Sequence, residues 1–104
     1  MVRFTVIWKS TPTDIEAFDR HYREVHIPLA KTLAGLRRYT LSRDLSRVRG
    51  EGAYYQIAEL DWDDMASLRQ AFDSPVGRAT AEDVEHLSQW SPGVESVIYE
   101  LEDF

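Results

Sequence analysis

The chain has 104 residues, no cysteine, 12 basic and 18 acidic side chains and a formal net charge of −6. That length supports one hydrophobic core, and 43% hydrophobic with 12% aromatic residues is enough to fill it, which excludes a disordered chain. The missing cysteine excludes disulfides, thiolate metal sites and a cysteine nucleophile, and the acidic balance excludes a phosphate-gripping nucleic-acid binder.

Val2, Phe4, Val6 and Trp8 alternate with Arg3, Thr5, Ile7 and Lys9, a first strand whose second face is partly apolar through Ile7. This start lacks the basic stretch and continuous apolar run of a signal peptide. No later run approaches the roughly 18 residues of a membrane span, so the expectation is a cytoplasmic protein with no membrane partner. Ser10 to Asp14 reads as a turn, and Thr13 with Glu16 three residues on fits a capping box for the helix that follows.

Ile15, Phe18, Tyr22, Val25, Leu29 and Leu33 recur at spacings of three and four, one apolar stripe that Gly35 stops. Pro28 lies inside this helix and predicts a kink near Val25 to Ile27, because proline removes a hydrogen bond and clashes with the Glu24 carbonyl. Leu36 to about Asp44 is a second strand and Ala53 to Asp61 a third, joined by a Gly- and Arg-containing loop. Asp63 or Asp64 caps a short helix bearing Met65, Leu68 and Phe72. Ser74-Pro75 breaks it and starts another, through about Trp90, with Val84 and Leu87 inward. A last strand covers Val94 to Glu102, with Val97, Tyr99 and Leu101 on one face.

The order of strand, helix, strand, strand, broken helix, strand predicts a single α+β domain over residues 1–104. Its plan is a ferredoxin-like four-stranded antiparallel sheet with helices on one face. Val6 and Ile7, Tyr54 and Tyr55, and Ile98 and Tyr99 put apolar residues at both parities of the strands. A bare apolar sheet face is an aggregation liability, so the pattern predicts a homodimer packed through the open faces.

With cysteine absent, histidine and tyrosine are the candidates for chemistry. His26 sits about 60° from the centre of the apolar stripe and His21 about 80° away on the other flank. His26 fits either a neutral general base in a cavity beneath the kinked helix or a half-buried residue bonding a backbone carbonyl. The two histidines are five apart, about 140° around a helix, and no HxxxH or HExxH spacing occurs, so no metal site is expected. Tyr22 and Tyr39 are candidates to hold a substrate oxygen. Trp8, Trp62, Trp90 and Tyr99 read as core or interface fillers, or as walls of a pocket for a flat ligand. No GxGxxG or Walker loop is present, so no nucleotide cofactor is expected. Arg37, Arg38, Arg43, Arg47 and Arg49 read as a solvated basic stretch pairing with acids.

Phe18, Tyr22, His26, Pro28 and Leu29, followed by Gly35-Leu36 and Tyr39, resemble the EthD family pattern F-x3-Y-x3-H-x-P-L then G-L-x-x-Y. Ala58 to Trp62, Leu68, Ala71-Phe72, Ser74-Pro75 and Gly77 extend the resemblance over nearly the whole chain. Asp61-Trp62 departs from it, standing where the family more often has two aromatics. The resemblance implies a dimeric α/β barrel with a ligand cavity between sheet and helices, in a superfamily that includes cofactor-free monooxygenases, cyclases and isomerases. It implies a functional role for His26 and a fairly apolar, oxygenated cyclic ligand, polyketide- or quinol-like, turned over without a cofactor. Alternatives are a non-catalytic binding or accessory protein of a degradation pathway, and a haem protein with His26 or His86 as axial ligand.

Overall fold

In the computed structural model, which describes residues 1–52 and 54–104, four strands form one antiparallel sheet in the order β2-β3-β1-β4. The strands are β1 (Val2–Trp8), β2 (Arg38–Leu41), β3 (Gln56–Trp62) and β4 (Glu95–Glu100). The helices are α1 (Ile15–His21), α2 (Ile27–Ala30), α3 (Met65–Asp73) and α4 (Pro75–Ser88), with a π-helical segment, Tyr22–His26, joining α1 to α2. This is the ferredoxin-like plan expected from the element order. The expected third strand begins three residues early, and its first residue, Ala53, lies outside the described residues. The second strand is shorter than expected, because only Arg38 to Leu41 find ladder partners on β3.

Val2, Val6 and Trp8 of β1 and Ala58, Leu60 and Trp62 of β3 are buried and face the helices, as a period of two requires. Trp8, Trp62, Phe18, Tyr22 and Leu87 are among the largest fully buried side chains. Phe18 meets Trp8 edge-on at 5.1 Å and stacks on Tyr22 at 5.9 Å, a geometry that adds to area burial.

The expected capping box at Thr13 is not used. Asp14 is the cap, its carboxylate accepting from the Ala17 N–H at 3.0 Å, while the Thr13 N–H is taken by the Trp90 carbonyl at 2.8 Å. Asp64 caps α3 through the Ser67 N–H, and Ser74 ends α3 and caps α4 by accepting from the Gly77 N–H.

The proline does more than kink the helix. The Ile27 N–H reaches five residues back to the Tyr22 carbonyl, opening the turn before Pro28. One extra residue in that turn re-phases the buried face. The predicted stripe through Val25 and Leu29 gives way to one through Phe18, Tyr22, His26 and Ala30, all buried, while Val25 is 44% exposed. The helix ends at Ala30 rather than Leu33, and Gly35 then takes φ +75°, the left-handed conformation its missing side chain permits.

The opposite face of the sheet is mixed rather than apolar. Arg3, Thr5 and Ile7 of β1 share it with Ile57, Glu59 and Asp61 of β3 and with Val97 and Tyr99 of β4. The Arg3 guanidinium donates to both Asp61 oxygens, at 2.7 and 3.1 Å, and lies 2.7 Å from Glu59. Val97 and Tyr99 remain 51% and 38% exposed.

Candidate functional site

Between the helix-facing side of the sheet and the helices lies a cavity of about 390 Å³, within the range of small-molecule sites. Its walls are largely aromatic and aliphatic, including Phe4, Trp8, Leu60, Phe72 and Val84. Ala81, Glu85 and Ser96 line it and are themselves exposed, which puts its opening between α4 and β4.

The π-helical turn delivers His26 into this wall, 5% exposed. Its Nδ1 lies 2.7 Å from Asp83 Oδ2, and the other oxygen of that carboxylate lies 2.7 Å from His21 Nε2. A carboxylate only accepts, so both of these ring nitrogens carry hydrogen, and His26 Nε2 is left as the bare lone pair. Burial pushes the His26 pKa below 6.5, more strongly than the Asp83 hydrogen bond and charge lift it. The imidazole is therefore neutral at pH 7.

Tyr22 and Tyr39 meet inside the cavity, their hydroxyls 2.5 Å apart. Burial raises both phenols, Tyr39 to about 12, so both are protonated at neutral pH. One O–H serves the pair and the other remains to donate to a guest. The Tyr22 ring also lies against His26, centroids 5.0 Å apart.

Four of the sequence-derived candidates, His26, Tyr22, Tyr39 and Trp8, line this one cavity. Trp62, Trp90 and Tyr99 do not. Trp62 is buried in the core and donates its indole N–H to the Ala34 carbonyl. Trp90 packs edge-on against His86 at the end of α4, and Tyr99 sits on the far face of the sheet, bonded to Thr5. These three were assigned by residue type, which does not choose a side of the sheet. His86 is exposed and packs against His21 outside the cavity lining, so of the two histidines considered for haem only His26 reaches the chamber. Among the described residues no group of three His, Asp or Glu side chains is arranged to hold a metal.

Asp83 escaped the sequence reading because 57 residues separate it from His26. The available signal was an acid next to the inward-facing Val84. Also unanticipated are two buried donors without partners among the described residues, Trp8 Nε1 and Gln56 Nε2, on residues paired across β1 and β3.

The EthD domain matches residues 10–89. An uncharacterized 11.0 kDa protein in the thcB-thcC intergenic region of Rhodococcus erythropolis is 32% identical over 88 residues, covering 85% of this chain and 84% of that one. The crystal structure of an EthD family protein from Bacillus halodurans is 30% identical, with a TM-score of 0.83 over 98% of this chain and 99% of that one. Two more distant structures share the fold. SnoaB from Streptomyces nogalater, a cofactor-independent oxygenase, is 18% identical with a TM-score of 0.69 over 99% of this chain and 94% of its own. A dimeric ferredoxin-like protein of unknown function from Thermobifida fusca is 17% identical with a TM-score of 0.69 over 96% and 90% of the two chains. With its helix-one motif intact, a profile match over most of its length and a near-full-length structural relative, this chain belongs to the EthD domain family.

Proposed function

We propose that the protein is a cofactor-independent enzyme that removes a proton from a fairly apolar, carbonyl-bearing cyclic compound held in the 390 Å³ cavity. The observation that carries this reading is a buried His26 held through Nδ1 by Asp83 in an apolar wall. Such an imidazole has its tautomer set by the carboxylate and, with burial holding its pKa below 6.5, keeps its other lone pair free to take a proton near pH 7.

In the proposed step the C–H bond beside the ligand's carbonyl breaks. Its proton goes to His26 Nε2 and its electron pair forms the C=C bond of an enolate. The Tyr39 O–H, free when Tyr22 donates to it, stabilises the enolate oxygen. The same enolate leads to isomerisation by reprotonation elsewhere, to cyclisation on a second carbonyl, or to oxygenation with O2 as the oxidant. SnoaB's description as a cofactor-independent oxygenase supports chemistry of this kind on the fold.

The test is deuterium uptake at the α-carbon of 2-tetralone in D2O, followed by NMR. The wild-type protein is expected to accelerate it, and His26→Gln to lose at least about tenfold of the acceleration. Equal rates from two folded proteins would overturn the reading.

The same proposal includes a homodimer joined through the open sheet faces. The exposed Val97 and Tyr99 beside half-buried Ile7 and Ile57 support it, as does the relative described as dimeric. Light scattering on Val97→Asp is expected to give monomer where the wild type gives dimer.

A further inference from the structure

A second groove, of about 430 Å³, runs along the outer edge of β2. Arg23, Lys31 and Arg38 stand on its rim, Ile27 and Leu41 form part of its floor, and no acid lines it. Arg37, also on the rim, is paired with Asp63, but the other three cations have no carboxylate partner among the described residues. In a chain with 18 acids and 12 bases, three cations without a carboxylate partner around one groove leave mutual repulsion that an anion would relieve.

The complementary piece is in the same chain. Leu101-Glu102-Asp103-Phe104 follows β4, with both acids exposed and outside every ion pair among the described residues, and with Phe104 fully exposed.

Register places the two features at one end of the sheet, on opposite edges. The Leu101 N–H donates to the Met1 carbonyl, and Val2 pairs with both Glu100 and Trp62. Asp61, one residue earlier on β3, pairs with Arg38, so β4 ends at the level where β2 begins. A two-fold axis running along the strands between two stacked open faces reverses the edge order and keeps strand ends level. It therefore lays β4 of one protomer over β2 of its partner. Sheets stack about 10 Å apart, and the three residues beyond Leu101 span about 10 Å when extended, enough to step across to the β2 edge, where the long Lys31 and Arg38 side chains supply the remaining reach.

We propose that residues 101–104 of each protomer dock in the partner's groove. Glu102 and Asp103 meet Lys31 and Arg38, and Phe104 covers the apolar floor, so two reciprocal clasps lock the dimer. The inference rests on the dimer reading above and adds to it the axis, the segment and its receiving site.

The dimer dissociation constant, measured by sedimentation at low and high salt, tests it. Glu102→Lys with Asp103→Lys is expected to weaken association about tenfold at low salt, and Lys31→Glu with Arg38→Glu to do the same. Combining all four should restore affinity to within about threefold, since the pairs are then reversed rather than lost. Because the chain has no cysteine, Lys31→Cys with Asp103→Cys should give a covalent dimer with a bifunctional maleimide, which bridges the span the lysine side chain covered and a disulfide cannot, and neither substitution alone should. A dimer indifferent to every charge reversal and yielding no cross-link overturns the clasp and leaves the dimer standing. Inorganic phosphate binding in the groove of such a dimer would assign the groove to an anion instead. A protein monomeric at all concentrations overturns both readings.

Discussion

Asp83→Asn tests the arrangement around His26 most directly. In the wild-type protein one carboxylate accepts from two imidazoles, each at 2.7 Å, and the side chains of His26, Asp83 and His21 are 7%, 12% and 21% exposed. An amide offers one oxygen and one NH2, so it can accept from only one of the rings. If its oxygen keeps the His26 Nδ1–H, its NH2 faces His21 Nε2, and the more exposed His21 must shift its proton to Nδ1. Both contacts then survive as neutral hydrogen bonds in place of charge-assisted ones. At about 1 kcal/mol lost for each, the total is about 2 kcal/mol. For a domain of this size that is a fall in Tm of roughly 10 °C. Asp83→Ala should cost more, because the buried His26 Nδ1–H then has no acceptor. The substitution also removes the charge that holds the His26 pKa up against burial, so His26 must titrate at lower pH. Urea unfolding at pH 7.5 gives the first quantity, and histidine ring NMR from pH 4 to 8 gives the second. A His26 pKa unchanged or higher in Asp83→Asn, or a stability change below about 0.5 kcal/mol, refutes the shared-carboxylate account.

Four further outcomes are expected. Because the folded His26 pKa lies below 6.5, the unfolded chain binds more protons between the two values. Stability is therefore fully present above pH 6.5 and falls as pH drops below it, and urea titrations of His26→Gln should lack that slope. The tyrosine pair acts in the opposite sense: its folded pKa values lie above 10, so stability falls as pH rises from 10 through the Tyr39 value of about 12. Tyr39→Phe leaves the 2%-exposed Tyr22 hydroxyl without its partner and should cost about 1 to 3 kcal/mol, whereas adding Tyr22→Phe should recover part of that loss in a double-mutant cycle. Gln56→Leu removes a buried N–H donor that has no partner among the described residues and should raise stability by about 1 kcal/mol in urea denaturation; a loss of that size would mean the amide is satisfied after all.

Local rules read well from the sequence where the chain obeys one period at a time. The alternation of Val2 to Trp8, the aspartate before Met65 and the serine before Pro75 each carried their element to within a residue or two. The phase of the first helix did not read correctly, because a period of 3.6 carried through Pro28 assumes an α-turn where the backbone makes a wider one. That single assumption pointed Val25 inward and left His26 on the flank. Tyr22 and Tyr39 were chosen for their chemistry, but their contact is a tertiary fact across 17 residues, as Asp83 with His26 is across 57. Trp62, Trp90 and Tyr99 show the limit from the other side: a large ring predicts burial without predicting which cavity or face receives it.

The wider turn at Tyr22–His26 makes the helix a mechanical phase-setter. Replacing Pro28 by alanine would favour straightening these residues into an unbroken α-helix, a gain in regular hydrogen bonding, and would rotate everything upstream by about 100° relative to α2. Phe18 and Ala30 could then no longer share a buried face, although neither had been mutated. Regularity of the helix and assembly of the chamber are thus opposed at the same five residues. A stabilised descendant selected only for thermal endurance would be drawn toward losing its working face first.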